Sequence, residues 1–322
     1  MKRSMNGAKR HILILAVVLL CSSGCGPDAK RDNPLDPVNG RGVYGTVRNS
    51  VAAVVPGAVV TARPANVNAT CDAQGAYQLE LPAGERYLLT VSHPLYWDTT
   101  DTVTVPSDGK LEHDFIVKGK PSLSQPKVNT YKIAHENGDF DYGLRLECLG
   151  THPEGQVYLN AYDIYAAVNS TNYPADPPGE VDSFSKKYTW DLDLTVIFGA
   201  IPDPESLIIG KPVSFNIDPG QGLVSLQATV PVFNPVPTNL NPGSGSVISL
   251  PGSLSWTNAS ASLTDITVEV WQGTEKKWSF TTSNVSMVQC TAALEPGAYV
   301  WLVRTTDING NEAAAEATFT IN

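Results

Sequence analysis

The chain has 322 residues, 42% of them hydrophobic, with 26 glycines and 24 prolines. That apolar content exceeds one small core, and glycine and proline at this frequency mark many turns, so several β domains are expected. With 32 acidic against 22 basic residues and a formal charge of −10, duplex nucleic acid is excluded as an expected partner.

Lys2, Arg3, Lys9 and Arg10 open the chain, an apolar stretch runs from Ile12 to Leu20, and the small residues Ser22, Ser23 and Gly24 follow. This is the pattern of a secretory signal peptide over residues 1–24. Nine apolar residues span about 14 Å as a helix, roughly half a hydrocarbon core, so the segment suits export and not a permanent membrane crossing. Ser22-Ser23-Gly24-Cys25 resembles the lipobox of bacterial lipoproteins, in which cleavage precedes a cysteine carrying a diacylglyceryl thioether. The resemblance implies lipidation at Cys25, a membrane partner through the lipid anchor and a cell-envelope location. It departs from the usual pattern at Ser22, where leucine is common; Cys21 fits less well because bulky Leu20 precedes it. The competing reading is an ordinary secretory signal with an incidental cysteine. Gly26 resembles the residue that follows the lipidated cysteine in lipoproteins passed on to an outer membrane, on its periplasmic face or at the cell surface.

Residues 25–40 form the expected lipidated tether, because prolines at 27, 34 and 37 and the lack of an apolar period leave nothing to bury. From 41 to 119 alternation takes over. Val43, Gly45 and Val47, then Val59 and Thr61, then Tyr77, Leu79 and Leu81, then Tyr87, Leu89 and Val91 each read as one face of a strand. Turn signals at Pro56-Gly57, Asp72 to Gly75, Pro82 to Gly84 and Ser107 to Gly109 separate six or seven short strands, the pattern of a small sandwich. The segments Val43 to Val47, Pro56 to Val60, Asp72 to Leu79 and Leu81 to Gly84, with Tyr87 and Val91, resemble a carboxypeptidase regulatory-like domain. The resemblance implies a transthyretin-like β-sandwich serving as a folding or interaction module and not as a catalyst. Asp72, Asp98 and Asp101 are oxygen donors read on loops, but Asp72 is expected to cap its turn, and calcium needs six or more converging oxygens.

The middle region, 120–229, has no family resemblance. Trp190 to Phe198 alternates as a strand of about nine residues, with Asp191 and Asp193 on one face, read as a solvated face and not as a paired acid and base. Val213 to Ile217 and Leu223 to Val230 read as strands around Asp218-Pro-Gly220. Tyr158, Tyr162 and Tyr165 fit helical spacing as well as Val157, Leu159 and Ala161 fit a strand. Asn169 to Gly179 reads as a long exposed loop. From 230 to 322 a Pro/Gly-rich entry precedes strands around Leu254 to Trp256, Ile266 to Trp271, Trp278 to Phe280, Tyr299 to Arg304 and Ala317 to Ile321, with Asn309-Gly310 as a type I′ hairpin signal. Trp256, Leu294 to Tyr299, Trp301, Val303 and Asp307 to Asn311 resemble a fibronectin type III or immunoglobulin-like domain, which implies a tyrosine corner at Tyr299. Asp307, Asn309, Asn311 and Glu312 lack the twelve-residue calcium-loop register and read as a polar hairpin.

The overall expectation is an all-β chain of tandem sandwiches. Cys71, Cys148 and Cys290, one in each region, form no disulfide framework or metal spacing and read as small buried hydrophobes. His93, His113, His135 and His152 stand without a local catalytic partner, and GxSxG, HExxH and P-loop motifs are absent. No cofactor or metal is implied. The expected function is non-enzymatic: a structural, binding or adhesion module with an envelope protein or a glycan as partner. Tyr96 and Trp97 are the candidate stacking platform for a glycan, weighed against ordinary packing at a strand end. An envelope hydrolase is the least favoured reading.

Overall fold

The computed structural model describes residues 42–107, 109–198, 203–260 and 262–322; Cys25, with the expected leader and tether, lies outside them. The protein is all-β, in two compact units that meet in sequence at Lys118 and Gly119, and every sheet lies wholly within one unit.

In the first unit the strands are β1 (Gly42–Asn49), β2 (Val59–Arg63), β3 (Val67–Thr70), β4 (Ala76–Glu80), β5 (Arg86–His93), β6 (Tyr96–Thr104), β7 (Lys110–Glu112) and β8 (Phe115–Val117). One sheet runs β4-β1-β7 with β8 also on β1, and the other runs β3-β2-β5-β6. Because side chains alternate across a strand, Val43, Val47, Tyr77 and Leu79 from the first sheet meet Val60, Ala62, Tyr87, Leu89 and Val91 from the second in one core. The strand count exceeds six or seven because β7 and β8 are three-residue parallel partners of β1, too short to carry an alternation signal. Asp72 caps its turn as expected, accepting the N–H of Gln74 and of Ala76, each at 2.9 Å. Asp98 and Asp101 lie on β6 and not on loops.

The second unit contains two lobes. The first comprises β9 (Ser122–Ala134), β10 (Phe140–Thr151), β11 (Asp163–Val168), β12 (Thr171–Pro174), β13 (Gly179–Glu180), β14 (Ser185–Asp193), β15 (Pro212–Asp218) and β16 (Val224–Thr229), with short helices α1 (Leu194–Phe198) and α2 (Pro204–Ile208). The second comprises β17 (Thr238–Asn241), β18 (Ser246–Ile248), β19 (Gly252–Thr257), β20 (Leu263–Gln272), β21 (Glu275–Thr282), β22 (Met287–Cys290), β23 (Gly297–Asp307) and β24 (Glu312–Ile321). Each lobe packs its own apolar cluster between two sheets: Leu144, Leu146, Trp190 and Phe215 in the first, Trp256, Val268, Trp301 and Phe319 in the second. The expected boundary between 229 and 230 cuts through the first lobe's cluster, which includes Val230 and Phe233, and does not divide the sheets. One sheet of order β13-β14-β10-β9-β24-β23-β20-β21 crosses both lobes, joined by parallel pairing of Glu312–Ala315 with Tyr131–Ala134.

Four local readings change. The strand expected over Trp190 to Phe198 stops at Asp193, whose carboxylate accepts the N–H of Thr195 at 2.7 Å and of Val196 at 3.4 Å; this side-chain cap turns the chain into α1. Of the ambiguous tyrosines, Tyr158 lies in a 3₁₀ turn over Gln156–Ala161, Tyr162 caps its end and Tyr165 lies on β11. The expected long loop after Val168 is instead a tight hairpin into β12, because Asn169 and Ser170 both adopt positive φ, 48° and 65°. At the β23–β24 hairpin Gly310 has φ 87° while Asn309 stays at negative φ, so the turn is not type I′. Its Gly310 N–H donates to Asp307 O at 3.0 Å, closing a three-residue loop with glycine at the left-handed position.

In the second lobe the Tyr299 hydroxyl donates to Glu295 O at 2.7 Å, the geometry of a tyrosine corner. Phe215, fully buried in the first lobe, offers a test of coupling. Phe215→Ala is expected to cost about 3–5 kcal/mol, and hydrogen exchange should show both lobes destabilised together. Destabilisation confined to the first lobe would show that the shared sheet does not couple them.

Candidate functional site at the lobe junction

The outer face of the shared sheet is polar because its core-facing alternates are consumed by the two clusters. On β10, Leu144, Leu146 and Cys148 point inward, which leaves Arg145 and Glu147 outward; on β14, Tyr188, Trp190 and Leu192 point inward, which leaves Asp191 and Asp193 outward. The paired carboxylates Asp191 and Asp193 therefore share an exposed strand face, as read from the sequence. Where this face crosses from the first lobe to the second lies an open groove of about 510 Å³, bordered by Lys127, Asn129, Arg145, Asp191, Gly310 and Glu312 among others.

Tyr131 and Gly143 position the Arg145 that borders the groove. They are cross-strand partners, and a Cβ on residue 143 would fall 2.0 Å from Cζ of Tyr131, so only glycine lets this ring lie across β10. The Arg145 guanidinium stands 5.0 Å from the Tyr131 ring centroid. It also pairs with Glu312 at 2.6 Å and, more distantly, with Asp191 at 3.6 Å, while Arg304 pairs with the other Glu312 oxygen at 2.7 Å. Burial alone would raise the Glu312 carboxyl, but the two guanidinium hydrogen bonds outweigh it and hold the group below the usual carboxylate range. Burial, with Asp191 and Asp193 close by, pushes the Tyr131 phenol up to about 12.

The hairpin tip locks the two lobes from the side. Asn311 Oδ1 accepts the Thr130 N–H at 3.0 Å, Asn129 Nδ2 donates to Asn309 O at 2.6 Å, and Asn234 Nδ2 donates to Asn311 O at 2.9 Å. Asp307 holds the tip in shape by accepting the backbone N–H groups of Asn309 and Asn311. The residues that resembled a calcium loop are thus committed to the turn and to the lobe contact. Among the described residues no group of three or more His, Cys, Asp or Glu side chains is placed to hold a metal ion.

Tyr96 and Trp97 do not form one surface. As neighbours at the start of β6 they alternate across the strand. Tyr96 packs against the core of the first unit, with its hydroxyl accepting from Asn49 at 3.3 Å and its ring 5.3 Å from His93; Trp97 is half-buried. Two of the histidines read as lacking local partners meet carboxylates: His113 meets Asp101 at 3.3 Å, and His135 meets Asp141 on the adjoining strand and Glu316 on a distant one. Cys71, Cys148 and Cys290 are buried and unpaired; burial pushes the thiols of Cys71 and Cys148 up to about 11 and 12, away from nucleophilic use.

Three Ser-x-x-Lys tetrads escape the motif reading, Ser107–Lys110, Ser124–Lys127 and Ser183–Lys186. That spacing serves nucleophilic catalysis when a helix stacks serine and lysine on one face. None of the three is helical among the described residues, and the buried Lys186 amine donates to Asn160 Oδ1 at 2.6 Å instead of meeting Ser183.

Residues 42–118 match the model of the carboxypeptidase regulatory-like domain. No curated protein matches the chain. Among solved structures, the major pilin subunit of Bacillus cereus is similar at 10% identity over 84% of this chain and 90% of that one, with a TM-score of 0.28. The TIE protein of Bacillus anthracis is similar at 10% identity over 87% of this chain and 48% of that one, with a TM-score of 0.27.

The Glu312 contacts give a signed pH response. A carboxyl held low in the fold stabilises it fully above the ordinary value and loses that contribution as pH falls through the lower folded value. Glu312→Gln is expected to cost about 1–3 kcal/mol near neutrality, where it removes two charge-assisted bonds, and progressively less in acid. A deficit in chemical denaturation that stays constant from neutral to strongly acid pH would contradict this assignment.

Proposed function

We propose that the chain is a non-enzymatic cell-envelope lipoprotein whose β-sandwich units serve as a structural or binding module. The observation that carries this reading is the shared sheet of the second unit. Pairing across β9 and β24, reinforced by the Asn311 lock, makes one broad polar bearing face out of two sandwiches, with its charges already committed to ion pairs. A pre-organised face of this kind suits recognition or load-bearing. Catalysis needs a nucleophile, base and orienter within reach of one another, whereas His113 and His135 engage carboxylates and the three described thiols are buried in the cores. The regulatory-like domain adds an interaction-type module before it.

The location rests on the sequence: the basic start, the short apolar run and Gly24 before Cys25 support export and lipid attachment. Acyl chains contribute about 0.8 kcal/mol per buried methylene, so a di- or triacylated cysteine anchors stably where a single chain does not. The expected partners are the membrane and an envelope protein. A glycan is the alternative partner.

Mass spectrometry of the membrane fraction is expected to show a mature N-terminus at Cys25 bearing acyl mass, and Cys25→Ser should release the chain from that fraction. The purified protein should hydrolyse no peptide, ester or polysaccharide. An unacylated soluble product, or a turnover abolished by changing one histidine or carboxylate, would overturn the corresponding half of the proposal.

A further inference from the structure

His135 follows the last residue of β9 and sits between carboxylates from different lobes. Its Nε2 is 2.9 Å from Asp141 Oδ2, at the start of β10 in the first lobe, and its Nδ1 is 2.9 Å from Glu316 Oε1 on β24 in the second. A neutral imidazole donates from one nitrogen only, and an ionised carboxylate only accepts. Both contacts are therefore hydrogen bonds only when the ring carries two protons. The ring is held there by its own turn: the His135 N–H donates to Asp139 O at 2.9 Å, and the Gly138 N–H donates to His135 O at 3.0 Å. The register gives the position its leverage. Ala134 pairs with Ala315 at the end of the β9–β24 ladder, so His135 and Glu316 are the next step beyond the last paired residues.

We infer that doubly protonated His135 is a pH-operated clasp, tying the β9–β10 hairpin of the first lobe to β24 of the second, and that losing one proton loosens that end of the lobe junction. The charged groups around the ring favour the cation. Asp141 faces it from β10 and Glu316 from β24, and Glu136 and Asp139 lie in its own turn; Glu312, one turn of the pleat back on β24, is already bound by Arg145 and Arg304. Burial works against protonation, but the two carboxylates outweigh it and raise the ring above its ordinary value of 6.5. A raised histidine stabilises the fold fully below the unfolded value and loses that contribution as pH rises through the folded one. The clasp thus weakens from neutrality upward.

His152 has the opposite sign and serves as an internal reference. It is buried in the first lobe, its Nδ1 accepts the Glu154 N–H at 3.2 Å, and burial lowers its affinity for a proton, so its contribution is lost as pH falls below 6.5. A junction that loosens with rising pH cannot be attributed to His152.

The test uses the whole mature chain. Imidazole ¹⁵N shifts should show His135 titrating above 6.5 and His152 below it. Hydrogen exchange in segments 131–135 and 312–316, corrected for the intrinsic pH dependence of exchange, should quicken roughly three- to tenfold as His135 deprotonates, the scale expected for losing one charge-assisted bond at a partly exposed site. In His135→Gln that step should vanish, and in Glu316→Gln the His135 midpoint should fall. If His135→Gln does not fold, the Glu316→Gln midpoint and the native exchange step decide the matter. A His135 midpoint at or below 6.5, a midpoint unmoved by Glu316→Gln, or an unchanged exchange step in His135→Gln would each overturn the clasp.

Discussion

Four residues of parallel pairing, Glu312–Ala315 against Tyr131–Ala134, hold the second unit together as one object. Without that ladder the unit would be two sandwiches, each with a complete apolar cluster and an open sheet edge. With it, β9 and β24 become interior strands and their backbone groups find partners. Such a short parallel ladder is a slender join by itself, and the polar contacts concentrate around it: Asn311 on Thr130 at one end, the carboxylates on His135 at the other, and Arg145 and Arg304 on Glu312 between.

This arrangement explains how the outer face holds so many charges in ion pairs. Each charge near the ladder answers another across a strand boundary, and the pairing acts on geometry more than on net stability, since half-exposed ion pairs contribute modestly. The tyrosine laid over Gly143 supports the same end, because it gives Arg145 a flat surface from which to reach both Asp191 and Glu312. A glycine on one strand and an aromatic on its neighbour thereby fix a guanidinium to within hydrogen-bonding tolerance.

Much of this was legible in the sequence where the signal was alternation. Val43, Val47, Tyr87, Leu89 and Val91 are core residues, as their period-two spacing implies, and the strands around Trp256, Ile266 and Tyr299 appear where expected. Alternation failed at Trp190 to Phe198 because it sees hydrophobicity and not the Asp193 carboxylate that caps α1. Composition misled after Val168, where the polar run read as a long loop turns at once into a hairpin because two non-glycine residues accept left-handed backbone. The lobe junction was out of reach for a different reason. Asn129, Thr130 and Asn311 are separated by about 180 positions, and nothing local in Asn or Thr announces a partner so distant. The candidate residues Tyr96 and Trp97 illustrate the converse, an adjacency in sequence that the pleat of a strand converts into opposite directions.

A nine-stranded sheet that does not close on itself has two ends, and both are built to refuse company. At one end β13 is two residues long, too short to template another strand. At the other, β21 begins Glu275-Lys276-Lys277, and its lysines engage Glu269 and Glu275, placing a charged fringe along backbone that would otherwise invite a neighbouring chain. Where copies of the chain meet at high concentration, an unguarded edge would seed aggregation. The same strand carries Trp278 and Phe280 side by side, so the charged fringe flanks an apolar pair on the same edge.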